Sequence, residues 1–117
     1  MKYVVGARGS KLSMAQTNWV ISELKKVNSD CEYEIKPITT KGDTDTRPLF
    51  TIEQKGIFEK EIDKAVAAKE IDFAVHSLKD VPSELADNLI IASIPKREKV
   101  NDVFISSDDS SLDKIKP

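Results

Sequence analysis

The spacing of hydrophobic positions changes several times along this chain, and each change marks an element. Tyr3, Val4 and Val5 form a short β-leaning run closed by Gly6, which predicts a strand entering the loop Ala7-Arg8-Gly9-Ser10. Leu12, Ala15, Trp19, Val20, Leu24 and Val27 then recur at helical spacing and predict an amphipathic helix with that stripe on a core. Ser13-Met14-Ala15-Gln16 has the capping-box form, a hydroxyl followed three residues on by an amide, and sets the start at Ser13. Asn28-Ser29-Asp30 ends the helix. Residues 32–40 alternate, with Tyr33, Ile35 and Pro37 against Glu34, Lys36 and Ile38, and predict a second strand. Ile57, Phe58, Ile62, Ala65 and Val66 mark a second helix ending near Lys69. Ile71-Asp72-Phe73-Ala74-Val75 predicts a buried strand, and Leu89-Ile90-Ile91-Ala92-Ser93-Ile94 another, stopped by Pro95. Val103-Phe104-Ile105 is a candidate for one more.

Strands and helices in this order predict an α/β fold with a mixed, largely parallel sheet and flanking helices. Ligands in such sheets sit beyond the carboxyl ends of the strands. Residues 41–55 are polar and without period, as a lid over a site or a disordered loop is. Ser106-Ser107-Asp108-Asp109-Ser110-Ser111 has the character of a linker. Composition narrows the class. With 117 residues, 39% hydrophobic and 32% charged, the chain suits one soluble domain and excludes wholesale disorder. Its 18 Lys and Arg against 20 Asp and Glu give a net charge of −2, which offers no overall basic face for nucleic acid but allows a local cationic pocket. The single cysteine, Cys31, excludes a disulfide framework and a thiolate metal cage. No apolar run approaches the roughly 18 residues of a membrane helix, and Arg8 comes too early for a signal-peptide core. The expectation is a cytoplasmic protein with neither membrane nor nucleic-acid partner.

Two loops carry candidate chemistry. His76, Lys79 and Asp80 follow a buried strand, where polar groups are rigidly held yet reachable. A carboxylate there accepts N–H donors and stabilises a developing cation, while an ammonium holds an acidic group as a point charge. The same residues also fit an ordinary polar turn before Pro82. Arg8, the Ser10 hydroxyl and the following helix N–H groups suit an anion, although Ser10 or Ser13 capping the helix explains them equally well. Lys55 sits before the second helix, where a cation opposes the helix dipole and hints at a ligand. Asp43 and Asp45 are followed by Arg47 where an oxygen ligand would be wanted, so no metal is expected. Trp19 and Phe58 occupy helix-face positions that suit a core.

Three stretches taken together resemble the porphobilinogen deaminase (hydroxymethylbilane synthase) family. They are Val5-Gly6-Ala7-Arg8-Gly9-Ser10-Lys11-Leu12-Ser13-Met14-Ala15-Gln16-Thr17, Lys55-Gly56-Ile57-Phe58-Glu59-Lys60-Glu61, and Phe73-Ala74-Val75-His76-Ser77-Leu78-Lys79-Asp80-Val81-Pro82. The resemblance runs from about residue 3 to 113. It implies an enzyme of tetrapyrrole biosynthesis that joins four porphobilinogen molecules head to tail, releases ammonia each time and frees hydroxymethylbilane by hydrolysis. It also implies a first domain similar to one lobe of a type II periplasmic binding protein, over residues 1–99 with a lid about 41–55. Residues 100–117 would then cross toward a second domain absent here.

By the same resemblance Asp80 is catalytic. Ser10, Lys55, Ser77, Lys79 and Asp80 contact a dipyrromethane cofactor, and Arg8, Ser10, Lys55 and Phe58 contact substrate. The family carries that cofactor on a cysteine of its third domain, which Cys31 does not match. The complete enzyme is expected to be monomeric, and the piece alone inactive. Two departures stand out. Glu53 and Gln54 occupy positions where the family usually has glycine. Residues 97–103 read Arg-Glu-Lys-Val-Asn-Asp-Val where the family often reads Arg-Glu-Asp-Pro-Arg-Asp-Ala. The competing readings are a non-catalytic module that binds small anions, and a purely structural α/β domain.

Overall fold

A computed structural model of the chain describes residues 1–44 and 59–107. Most of the 41–55 segment, with Lys55, Ile57 and Phe58, lies outside the described residues, as do residues 108–117. Strand β1 (Lys2–Ala7) leads into helix α1 (Lys11–Val27), strand β2 (Glu32–Pro37) and a single helical turn, α2 (Lys41–Thr44). Helix α3 (Lys60–Ala67), strand β3 (Phe73–Ala74) and a 3-10 turn (Leu78–Asp80) follow. The sheet has the order β2-β1-β3 and is parallel throughout, with Tyr3 opposite Tyr33, Val5 opposite both Ile35 and Phe73, and Gly6 opposite Ala74. Hydrogen bonds from Asp72 N to Val4 O (2.8 Å) and Val75 N to Gly6 O (3.3 Å) carry the β1–β3 pairing past the two-residue ladder. The parallel α/β sheet expected from the alternation of elements is therefore present.

Burial explains why the centre strand is β1. Val5 and Ala7 are fully enclosed, and on the opposite face, which Val4 and Gly6 share, Ile62 and Ala65 of α3 cluster with Ile71 against Val4 and Ala74. Gly6 makes this approach possible, because a Cβ there would stand 2.3 Å from Ile71 Cδ1 and 3.6 Å from both Ile38 and Ile62 side chains.

Helix α1 differs from its expected form in two ways. Its cap is Ser10, whose Oγ accepts from Ser13 N at 3.3 Å, so the helix begins before the capping-box reading placed it. The Ser13 hydroxyl is drawn off to accept the Arg8 amide at 3.1 Å. Its inner face is also not the expected stripe. Thr17 and Ile21 are buried, whereas Leu12, Trp19 and Val27 are exposed, Trp19 by 44%. Apolar residues surround much of this helix, so spacing alone supports two stripes, and the path from β1 selects the one carrying Thr17. That hydroxyl is satisfied internally by donating to Ser13 O at 2.8 Å.

Helix α3 ends in a Schellman motif: Glu70 N donates to Ala65 O (2.9 Å) and Lys69 N to Val66 O (3.0 Å). Lys69 holds the left-handed position at φ 58, where a side chain is strained and glycine is not. Lys69→Gly is therefore expected to raise unfolding free energy by about 1 kcal/mol in denaturant titration; a loss of stability would contradict this reading.

The strands expected at residues 89–94 and 103–105 are not formed. Among the described residues neither run pairs with the sheet, and Ile90 and Val103 are 84% and 80% exposed. A run of Ile and Val signals that a segment suits burial, but a strand also needs a neighbouring backbone. The β3 edge offers only two ladder residues. The start of the expected lid likewise proves helical, as α2.

Candidate functional site

All three strands run the same way, so the segments leaving β1, β2 and β3 gather at one edge. Arg8 follows β1, Thr40 and α2 follow β2, and His76 to Asp80 follow β3. Arg8 donates from Nε (3.0 Å) and an Nη (2.5 Å) to Oδ1 of Asp43, and each of the two side chains is little more than a fifth exposed. The second Asp43 oxygen accepts from Thr40 N (3.1 Å) and Thr40 Oγ1 (2.7 Å), and Thr40 is itself buried. Burial pushes the Asp43 carboxyl up, but the bonds from Arg8 and Thr40 outweigh it and hold the group below the usual carboxylate range.

The turn after β3 is ordered by backbone bonds, Asp80 N to Ser77 O at 2.9 Å and Val81 N to Leu78 O at 3.1 Å. The Ser77 hydroxyl does not cap this turn. It donates to Gln16 Oε1 of α1 at 2.9 Å, tying the loop to the first helix. His76 is half-buried, and its Nε2 is enclosed without a hydrogen bond among the described residues. Burial lowers its pKa, Asp63 of α3 and Asp80 oppose that shift, and Arg8 reinforces it. Asp63 is raised by burial, with His76 opposing. The Asp80 side chain is half-buried and takes part in no hydrogen bond or ion pair among the described residues. Lys79 is exposed beside it.

The depressed His76 pKa fixes a pH dependence. The unfolded imidazole takes up its proton near 6.5, above the folded one. Between the two values the unfolded state holds more protons, so the stabilisation is present above 6.5 and is lost as pH falls through the folded value. His76→Gln is expected to flatten the stability profile in that window; an unchanged profile would show the ring to be ordinary.

Of the sites expected from sequence, Arg8, Ser77, Lys79 and Asp80 lie in the loops of this one edge. Ser10 lies beside them but is exposed, with its oxygen engaged as the α1 cap. Lys55 and Phe58 fall outside the described residues. Gln16, Asp43, Asp63 and Thr40 were not picked out as site residues. Thr40-Lys41-Gly42-Asp43 was legible as a hydroxyl with an acid three residues on. Among the described residues no cluster could hold a metal ion, and no helix is long and apolar enough to cross a membrane. Cys31 precedes β2, at the opposite end of the sheet. There Tyr3, Leu24, Asn28, Cys31, Tyr33 and Phe73 line an open cleft of about 230 Å³, with the Tyr3 and Tyr33 rings stacked at 5.7 Å.

A parallel α/β domain with cationic, hydroxyl and carboxylate side chains in the loops beyond its strand ends belongs to the class that receives polar ligands at that edge. Comparison with known proteins gives the family. Residues 3–117 match the model for the porphobilinogen deaminase dipyrromethane cofactor binding domain. A probable porphobilinogen deaminase of Nitrosopumilus maritimus is 80% identical over all 117 residues, which span 38% of that protein. Porphobilinogen deaminases of Brevibacillus brevis and Lysinibacillus sphaericus are 47% and 51% identical, over 97% and 90% of this chain and 37% and 34% of theirs. The chain belongs to the porphobilinogen deaminase family and spans a little over a third of the length of these relatives.

Proposed function

We propose that this chain supplies the first, pyrrole-facing domain of a hydroxymethylbilane synthase, the cytoplasmic transferase that condenses four porphobilinogen molecules with loss of ammonia. Residues 1–99 form that domain, with residues 41–55 as its lid, and residues 100–117 lead toward a second domain. The observation that carries this reading is the gathering of Arg8 and the Ser77–Asp80 turn at the ends of adjacent parallel strands.

The donor set fits acidic pyrroles. Each unit carries two carboxylates and a ring N–H, so it calls for cations, hydroxyls and an acceptor. Arg8 and Lys79 supply the cations, the Ser10 hydroxyl the donor, and Asp80, whose oxygens are not engaged within the described residues, the acceptor, while Ser77, whose proton already goes to Gln16, adds a second acceptor oxygen. The same residues suit a dipyrromethane cofactor, which provides the growing end to which each new unit is added. Its attachment cysteine belongs to another domain in this reading. Cys31 stands before β2 at the opposite end of the sheet, about 20 Å away along a strand rising roughly 3.3 Å per residue.

Asp80 holds pyrrole N–H groups and balances the positive charge that grows on the substrate as ammonia departs. Arg8 and Lys79 bind the acetate and propionate groups, with Ser10, Lys55 and Phe58 completing the set. Gln16 fixes the Ser77 hydroxyl from behind. The test is a chimaera in which this sequence replaces the matched segment of the Nitrosopumilus maritimus relative. Porphobilinogen consumption with release of hydroxymethylbilane is expected. A folded chimaera that carries the cofactor yet consumes none would overturn the proposal.

A further inference from the structure

The Arg8–Asp43 pair points beyond those residues, to what makes Arg8 a fixed receptor rather than a swinging one. We infer that Asp43 is a positioning residue for acidic-ligand binding: by gripping the Arg8 guanidinium while anchored to Thr40, it presents the arginine to a ligand carboxylate in one orientation. This rests on the proposed reading of Arg8 as a pyrrole-carboxylate partner.

Three observations converge. Arg8 donates from Nε and from an Nη to the single oxygen Oδ1, which fixes the plane of the guanidinium. Oδ2 is held separately by the Thr40 amide and hydroxyl, so the carboxylate cannot rotate to follow a moving arginine. Finally, Thr40 is 1% exposed and stands three residues past the end of β2, shortly after Ile38, whose amide donates to Ala7 O at 2.8 Å, so the anchor is held close to the sheet. The chain of contacts therefore runs from the fold through Thr40 and Asp43 to Arg8. Holding the fork in advance removes the cost of ordering a long side chain when ligand arrives. The opposing possibility is that Asp43 merely neutralises Arg8 and competes with the ligand, and it predicts the opposite sign.

The 117-residue chain is tested with porphobilinogen as the probe, by calorimetric titration and by the NMR signal of Arg8 Nε–H. Without ligand, that proton is expected to exchange slowly with water in the parent and in Thr40→Val, and quickly in Asp43→Asn. Rapid exchange in the parent would overturn the inference without any variant having to fold. Asp43→Asn is expected to weaken binding about tenfold, in line with loss of a charge-assisted hydrogen bond, while Thr40→Val changes it less than about threefold. Unchanged or tighter binding by Asp43→Asn, beside normal binding by the parent, would overturn this inference alone. Failure of the parent to bind would overturn it together with the proposed role of Arg8.

Discussion

Asp80→Asn in the chimaeric enzyme is expected to keep the fold and lose at least about 100-fold of turnover, with a much smaller change in KM. Asparagine has nearly the shape of aspartate and retains one acceptor oxygen, so a pyrrole N–H can still be received. What disappears is the negative charge facing the cation that grows as the carbon–nitrogen bond breaks. Removing one preorganised electrostatic partner of a transition state typically costs about 10²–10³ in turnover. The side chain is suited to that duty because no cation or donor within the described residues engages it, whereas the carboxylate of Asp43 is fully committed to Arg8 and Thr40. A variant within about threefold of the parent would remove Asp80 from the chemistry.

Arg8→Gln is expected to act on affinity instead. A hydrogen bond to a charged group contributes about 1.5–3 kcal/mol, equivalent to roughly a 10- to 150-fold loss of porphobilinogen binding. Turnover at saturating substrate should change far less, since the carboxylates of the ring are held alike before and during the reaction. The measurement is the separation of KM from kcat across substrate concentrations. Equal loss in both would mean that Arg8 acts mainly in the transition state, and unchanged constants would mean that it serves only its partner Asp43.

Much of this organisation is legible in the residues, and the failures have identifiable causes. The strands at Tyr3 to Val5 and at Phe73 and Ala74 were legible because short apolar runs ended in Gly6 or in a polar turn. The direction of the sheet followed from the intervening helices. The buried face of α1 was not, because Leu12, Trp19 and Val27 compete with Thr17 and Ile21 at equivalent spacing and only the packing decides between them. Apolar content misled at residues 89–94, where Ile90 and Ile91 advertise burial while their backbone lacks a sheet neighbour within the described residues. In the site, Arg8 and Asp80 stood out because their residue types suit acidic pyrroles in a recognisable motif. Their supports did not. Asp43 lies 35 residues from Arg8 and Gln16 lies 61 from Ser77, and nothing local announces a partnership that only the parallel return of the strands creates.

Whether acidic pyrroles lodge beyond the carboxyl ends of β1 and β3 is decided most directly by titrating porphobilinogen into the isotope-labelled chain and following its backbone amide signals. Saturable shifts at Arg8, Ser77, Lys79 and Asp80, with Tyr3, Cys31 and Tyr33 at the far end unmoved, are the expected result. Shifts confined to the aromatic cleft at that far end, or none at concentrations far above those a substrate site requires, would contradict it.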